Sequence, residues 1–186
     1  AKNEINIIHH DGYTIVSQTR GPELGYNEDS GVRILNIDGF AFKDLDKDGE
    51  LDIYEDWRRP VTERARDLAS KMPVERICGL MLYSSAVDAM TAELTPKQTV
   101  YLRDDYIRHM LVRNIADAAT GAEWSNRVQA FCEAEPFGIP SNNSTDPRNY
   151  TNGQANTNTY TPEPDGEFDP DGTSKISLWP REVGMA

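Results

Sequence analysis

The chain has 186 residues and carries 31 acidic against 19 basic side chains, a formal net charge of −12. That balance excludes the basic footprint of a nucleic-acid binder or of a protein seated on an anionic membrane. No apolar run approaches the ~20 residues that span a bilayer, and no basic-then-apolar leader stands at the start.

The length suffices for one ordinary domain with a sizeable core. Only two cysteines occur, Cys78 and Cys132, both in apolar neighbourhoods, and they read as buried free thiols rather than a disulfide.

Residues 4–43 read as extended pieces around Ile5 and Ile7, Tyr13–Val16 and Val32–Leu35, separated by Asp-Gly and Gly-Pro punctuation. They are expected to form short strands or an extended N-terminal arm over 1–43. His9 and His10 are strand neighbours that point to opposite faces, which argues against shared metal ligation.

The most informative stretch follows, Asp-Leu-Asp-Lys-Asp-Gly-Glu-Leu-Asp-Ile-Tyr-Glu-Asp-Trp from Asp44 to Trp57. Counting Asp44 as the first position places oxygen side chains at Asp44, Asp46, Asp48 and Asp52, and Glu55 at the twelfth. Gly49 falls where the loop must turn sharply, and Glu50 offers its backbone carbonyl. This is the spacing of a twelve-residue EF-hand-like calcium loop. Five carboxylates so close repel one another unless a cation neutralises them, so Ca²⁺ is the expected cofactor. The loop holds 44–57 and carries no catalytic implication.

Pro60 opens a helix with Val61, Ala65, Leu68, Ala69 and Met72 on one face, ended by Pro73. The apolar run Gly79–Tyr83 reads as a strand buried on both faces. Thr95-Pro96-Lys97-Gln98 is a capping-box helix start, with a helix expected to about Ile107. Met110–Val112 forms a second strand. A helix from Thr120 or Gly121 runs to Phe137-Gly138, and Ile139–Asn143 makes a third strand.

Helix alternating with strand indicates an α/β fold with a parallel sheet and crossover helices. Residues 150–175, rich in Asn, Thr, Pro, Gly and Asp, read as a long loop where a barrel enzyme keeps its active-site loops. The Asp169–Gly172 segment lacks the remaining calcium-loop positions and reads as a turn, and the sequons at Asn142, Asn143 and Asn149 are assigned no glycan. Residues 58–186 are thus expected to be the truncated first βα units of an incomplete (β/α)₈ TIM-like barrel, a fold of ~250 residues.

Several strings resemble bacterial glycoside hydrolase family 3 enzymes of the β-glucosidase type. They are Phe42–Arg58, the Met72–Ile77 segment, Ala122–Gln129, Phe137–Pro140 with Thr145-Asp146-Pro147-Arg148-Asn149, and Trp179-Pro180 with Gly184–Ala186. The resemblance covers roughly 39–186. It departs at Ser141, where the family has Val, and at Arg148, where many relatives have His.

The resemblance implies the N-terminal portion of a retaining, exo-acting β-glycosidase. Its substrate would be a carbohydrate with a terminal non-reducing sugar, and its other partners the remainder of the barrel and a following domain. Asp146 matches the family carboxylate that grips sugar hydroxyls, with Arg148 beside it as a second substrate-binding candidate. The family's nucleophile and general acid match no residue here, so no catalytic residue is assigned, and the chain alone is expected to be inactive.

A calcium-dependent binding module and a non-catalytic sugar-binding barrel relative are the competing readings. The first normally carries paired calcium loops, whereas one complete copy exists here. An extracytoplasmic location fits the calcium loop.

Overall fold

The computed structural model describes residues 2–145. Asp146, Arg148, the sequon at Asn149 and the loop expected over 150–175 lie outside the described residues. Three separate sheets and four α-helices make up the described part, a mixed α/β arrangement.

The N-terminal strands β1 (Ile5–His9), β2 (Tyr13–Gln18) and β3 (Leu24–Asn27) form an antiparallel meander. Alternation in β2 buries Thr14 and Val16 on one face. His9 accepts or donates at Thr14 Oγ1 (2.8 Å), while His10 stacks on Tyr13 with ring centroids 4.6 Å apart, so the two histidines part company.

Strands β4 (Arg33–Ile37) and β5 (Phe40–Asp44) then form a hairpin. Its two-residue turn, Asp38-Gly39, places both residues at positive φ (54° and 80°), the geometry that matches strand twist. Gln18 joins this hairpin to the meander, its amide oxygen accepting from Ala41 N (3.1 Å) and its amide nitrogen donating to Ala41 O (3.2 Å).

The hairpin delivers Asp44 to the acidic loop, and the far end of that loop folds back over it. Trp57 stacks on Phe42 at 5.3 Å and donates its indole N–H to Ala41 O at 2.9 Å. Helix α1 (Val61–Lys71) follows. Its expected apolar stripe is exposed at Val61 and half-buried at Leu68, and only Met72, just past the helix, is buried.

Helix α2 (Val74–Leu80) overturns the expectation of a strand over 79–83. A Cβ on Gly79 would lie 2.2 Å from Asp105 O, so the bare glycine lets this helix press against the 105–106 backbone. Met81, Leu82 and Tyr83 are exposed, and Tyr83 contributes just an isolated parallel bridge to His109. Cys78, expected buried, is exposed on α2, while Cys132 is buried as expected; both are free.

The parallel sheet has the order β6 (Val87–Ala89), β7 (His109–Ile115), β8 (Asn142–Thr145). Helix α3 (Pro96–Arg103) crosses from β6 to β7 and helix α4 (Ala118–Ala134) from β7 to β8. Thr95 and Gln98 form the capping box as expected. Helix α3 stops short of Ile107, and Tyr106 turns the chain at φ 55°.

The expected strand over 139–143 shifts to 142–145, because Ile139 gives its carbonyl to the Arg108 guanidinium (2.9 Å) and Pro140 has no N–H for a ladder. Val87, Ala89, Leu102, Met110, Val112, Trp124, Val128 and Cys132 form the core between sheet and helices. Strands β6 and β8 are both edges of this three-stranded sheet within the described residues.

Candidate functional site

The acidic loop gathers its side chains as the spacing requires. Carboxylate oxygens of Asp44, Asp46 and Asp48 lie within 4.8 Å of one another, as do those of Asp46, Asp52 and Glu55, so Asp46 belongs to both groups. Glu50 lies outside both; its predicted contribution was the backbone carbonyl, and its N–H donates to Asp48 Oδ1 at 2.7 Å.

Local backbone geometry makes this convergence possible. Gly49 sits at φ 87°, a conformation glycine adopts freely, and its N–H donates to Asp44 Oδ2 at 3.1 Å. Glu55 reaches back across the loop. Its Oε1 accepts from Leu45 N (2.6 Å) and Asp46 N (3.3 Å), and its Oε2 from Asp52 N (3.1 Å).

Two carboxylate oxygens, Asp44 Oδ1 and Asp52 Oδ2, are buried without a hydrogen-bond partner. An orphaned buried oxygen carries a desolvation cost that a partner must offset. Burial first, and the Glu55 carboxylate second, raise the Asp46 carboxyl to about 6. Burial likewise raises Glu55, against the three backbone amides that favour its charged form.

Lone oxygens, converging carboxylates and strained protonation all fit a hard divalent cation. Asp44, Asp46, Asp48, Asp52, Glu55 and the Glu50 carbonyl would hold it, and the ion would supply positive charge and cross-linking rather than acid–base chemistry.

Three lysines, which the spacing did not single out, anchor this loop. Lys71 on α1 donates to Asp52 Oδ1 at 2.8 Å. Lys43 pairs with Glu133 on α4, and Glu133 Oε2 also accepts from Asn27 N at 2.7 Å. Lys47 donates to Glu133 O and Ala134 O, each at 3.2 Å. A basic residue inside an acidic loop was the available signal, but its partners lie almost ninety positions away in sequence.

The second candidate region is the carboxyl end of the parallel strands, where α/β folds place their ligands. Asp88 on β6 accepts from Asn114 Nδ2 at 2.8 Å and pairs with Arg113 at 3.4 Å, both on β7. A cavity of about 350 Å³ lies between the sheet and α4, lined by Ala89, Val112, Ile115, Trp124, Asn143 and Ser144. Asp146 follows Thr145 of β8 in sequence and lies outside the described residues.

No family model matches the chain. The chain is 33% identical over 164 residues to a periplasmic beta-glucosidase/beta-xylosidase of Dickeya chrysanthemi, an alignment covering 84% of the chain and 23% of that protein. It is 26% identical over 147 residues to the probable beta-glucosidase C of Aspergillus flavus, covering 75% of the chain and 21% of that protein. Over most of its length the chain is therefore similar to part of these β-glucosidase-type proteins, in line with the resemblance carried by its motifs. It spans less than a quarter of the length of either relative.

Proposed function

We propose that this chain is the leading part of the (β/α)₈ barrel of a retaining, exo-acting β-glycosidase that removes terminal non-reducing sugars, with β-glucosides as substrates. The alignment with the Dickeya enzyme over most of the chain carries this reading. It is supported by three strands in parallel order joined through helices and by the Thr145-Asp146-Pro147-Arg148 string in the sequence.

In this reading Asp146 accepts hydrogen bonds from sugar hydroxyls, the bond to the 2-OH strengthening as the oxocarbenium-like transition state forms. In the same reading Arg148 is a second substrate-binding candidate. A nucleophilic carboxylate from a later barrel strand forms the glycosyl-enzyme, and a general acid from a following domain protonates the departing oxygen.

Calcium in the 44–55 loop is structural, fastening the N-terminal strands to the barrel. An extracytoplasmic home follows from the same reading, since one relative is named periplasmic and free Ca²⁺ is scarce in cytosol. Among the described residues no helix is long and apolar enough to cross a membrane.

The deciding experiment incubates the full-length protein with nitrophenyl β-glucoside and β-xyloside and follows the first-formed sugar by proton NMR. A β-anomer appearing first is expected. An α-anomer first overturns the retaining mechanism, and no turnover of either substrate overturns the glycosidase reading. The 186-residue chain alone is expected to release no nitrophenol.

A further inference from the structure

Leu45 and Lys47 interleave with the acidic ligand candidates, and both side chains leave the loop for the same target. Lys47 Nζ donates to the carbonyls of Glu133 (3.2 Å), Ala134 (3.2 Å) and Glu135 (3.4 Å). These are the last two residues of α4 and its cap, whose carbonyls a helix leaves without intrahelical partners. A cation there also complements the negative end of the helix dipole.

The Lys47 backbone sits at φ 68°, a left-handed conformation that a long side chain rarely adopts. Such a conformation persists where the surroundings over-determine it.

Leu45 presses on the next part of the same segment. A Cβ built on Gly138 would lie 2.9 Å from Leu45 Cδ2, so the leucine occupies the space a side chain would need. The Leu45 N–H is in turn held by Glu55 Oε1 at 2.6 Å. One candidate ligand therefore orients the residue that touches Gly138, and Lys47 stands directly between two others, Asp46 and Asp48.

Residues 135–141 connect α4 to β8 through the 3₁₀ turn Pro136–Gly138. From the other side, the Tyr106 hydroxyl donates to Pro136 O, and Arg108 Nε donates to Ile139 O at 2.9 Å. The acidic loop supplies the opposing jaw.

We propose that Lys47 and Leu45 make the acidic loop a regulator of the α4–β8 connection, so that filling the loop with a divalent cation orders residues 134–145. This rests on the calcium reading above. Without the ion, mutual repulsion of the carboxylates spreads the loop and withdraws both side chains from the connector; with it, they are held against α4 and Gly138. Strand β8 inherits the effect because the connector sets where it begins.

The test uses the full-length protein in millimolar CaCl₂ or in excess EDTA. Calcium uptake is read by titration calorimetry, and backbone order by amide hydrogen exchange of peptides spanning 134–145. Calcium is expected to slow exchange there about fivefold or more. Lys47→Met is expected to retain the heat of calcium binding yet lose most of that slowing, with Lys47→Arg recovering part of it.

Leu45→Ala provides a second variant should Lys47→Met fail to fold, and the wild-type comparison stands without either. Binding heat with unchanged exchange over 134–145 overturns the coupling and leaves the calcium site intact. Full slowing retained in both variants also overturns it. Absence of any binding heat overturns the calcium reading itself, and the coupling with it.

Discussion

The Gln129 side chain pairs in both directions with the backbone of Ser141, Nε2 donating to Ser141 O at 2.8 Å and Oε1 accepting from Ser141 N at 3.0 Å. A helix side chain thereby satisfies the two main-chain groups just before β8 begins, where the strand ladder has not yet taken over. Gln129→Leu would leave both backbone groups wanting at a half-buried position. The expected loss is about 1–3 kcal/mol in denaturant melts of the full-length protein. An unchanged midpoint would mean that water replaces the amide without cost.

Helix α4 also depends on Asp117, whose Oδ1 accepts from Thr120 N at 2.9 Å and whose Oδ2 accepts from the Thr120 hydroxyl at 2.8 Å. The Thr120 amide and hydroxyl hold the Asp117 carboxyl below its ordinary value. A depressed carboxyl contributes stability above the unfolded-state pKa and loses it as pH falls through the folded-state value. Asp117→Ala should lower the melting temperature by a few degrees at neutral pH, with the gap narrowing as pH falls below about 4. Asp117→Asn, which still caps, should show a smaller gap. A gap for the alanine variant that ignores pH would show that the carboxylate's charge plays no part.

What was legible in the sequence was local. The Thr95/Gln98 capping box and the gathering of Asp44, Asp46, Asp48, Asp52 and Glu55 each depend on residues within a dozen positions of one another. The misreadings were non-local. Gly79–Tyr83 is a short apolar run whose periodicity cannot separate strand from helix, and the contact that settles it comes from Asp105 and Tyr106. The helix expected from Thr120 or Gly121 starts earlier, because Asp117 caps it. The partners of Lys47 at the end of α4 leave no mark on its neighbours in sequence.

Gly79 sets two effects of opposite sign against each other. Alanine in a helix is favoured over glycine by about 1 kcal/mol. Here its Cβ would stand 2.2 Å from Asp105 O and 2.9 Å from Tyr106 O, backbone atoms that cannot step aside as a side-chain tip can. Sterics should win, and Gly79→Ala should destabilise by about 1–3 kcal/mol in urea melts, the range for overpacking. A stabilised variant would show that α2 does not press on the 105–106 backbone.

Removal of calcium should lower the melting temperature of the full-length protein, since an ion bound only by the folded state stabilises it by mass action. Glu55→Gln tests the same site from the protein side. It removes the charge of the residue that ties Leu45, Asp46 and Asp52 together and should weaken calcium binding on the order of tenfold or more. Identical melting curves in CaCl₂ and in excess chelator would argue that the loop is held by its own hydrogen bonds and lysines.

The two thiols should separate cleanly by reactivity. Cys132 is fully buried on the core face of α4, and burial pushes its thiol up to about 11 despite the opposing influence of the Arg108 guanidinium. At pH 8 only about one part in a thousand is thiolate, the reactive form. Cys78 is exposed on α2. A chromogenic disulfide reagent should therefore modify Cys78 in the native chain and reach Cys132 only after denaturation, while Cys78→Ser should abolish the native reaction. Rapid native modification of Cys132 would mean that the packing of α4 against β7 opens far more readily than its buried core allows.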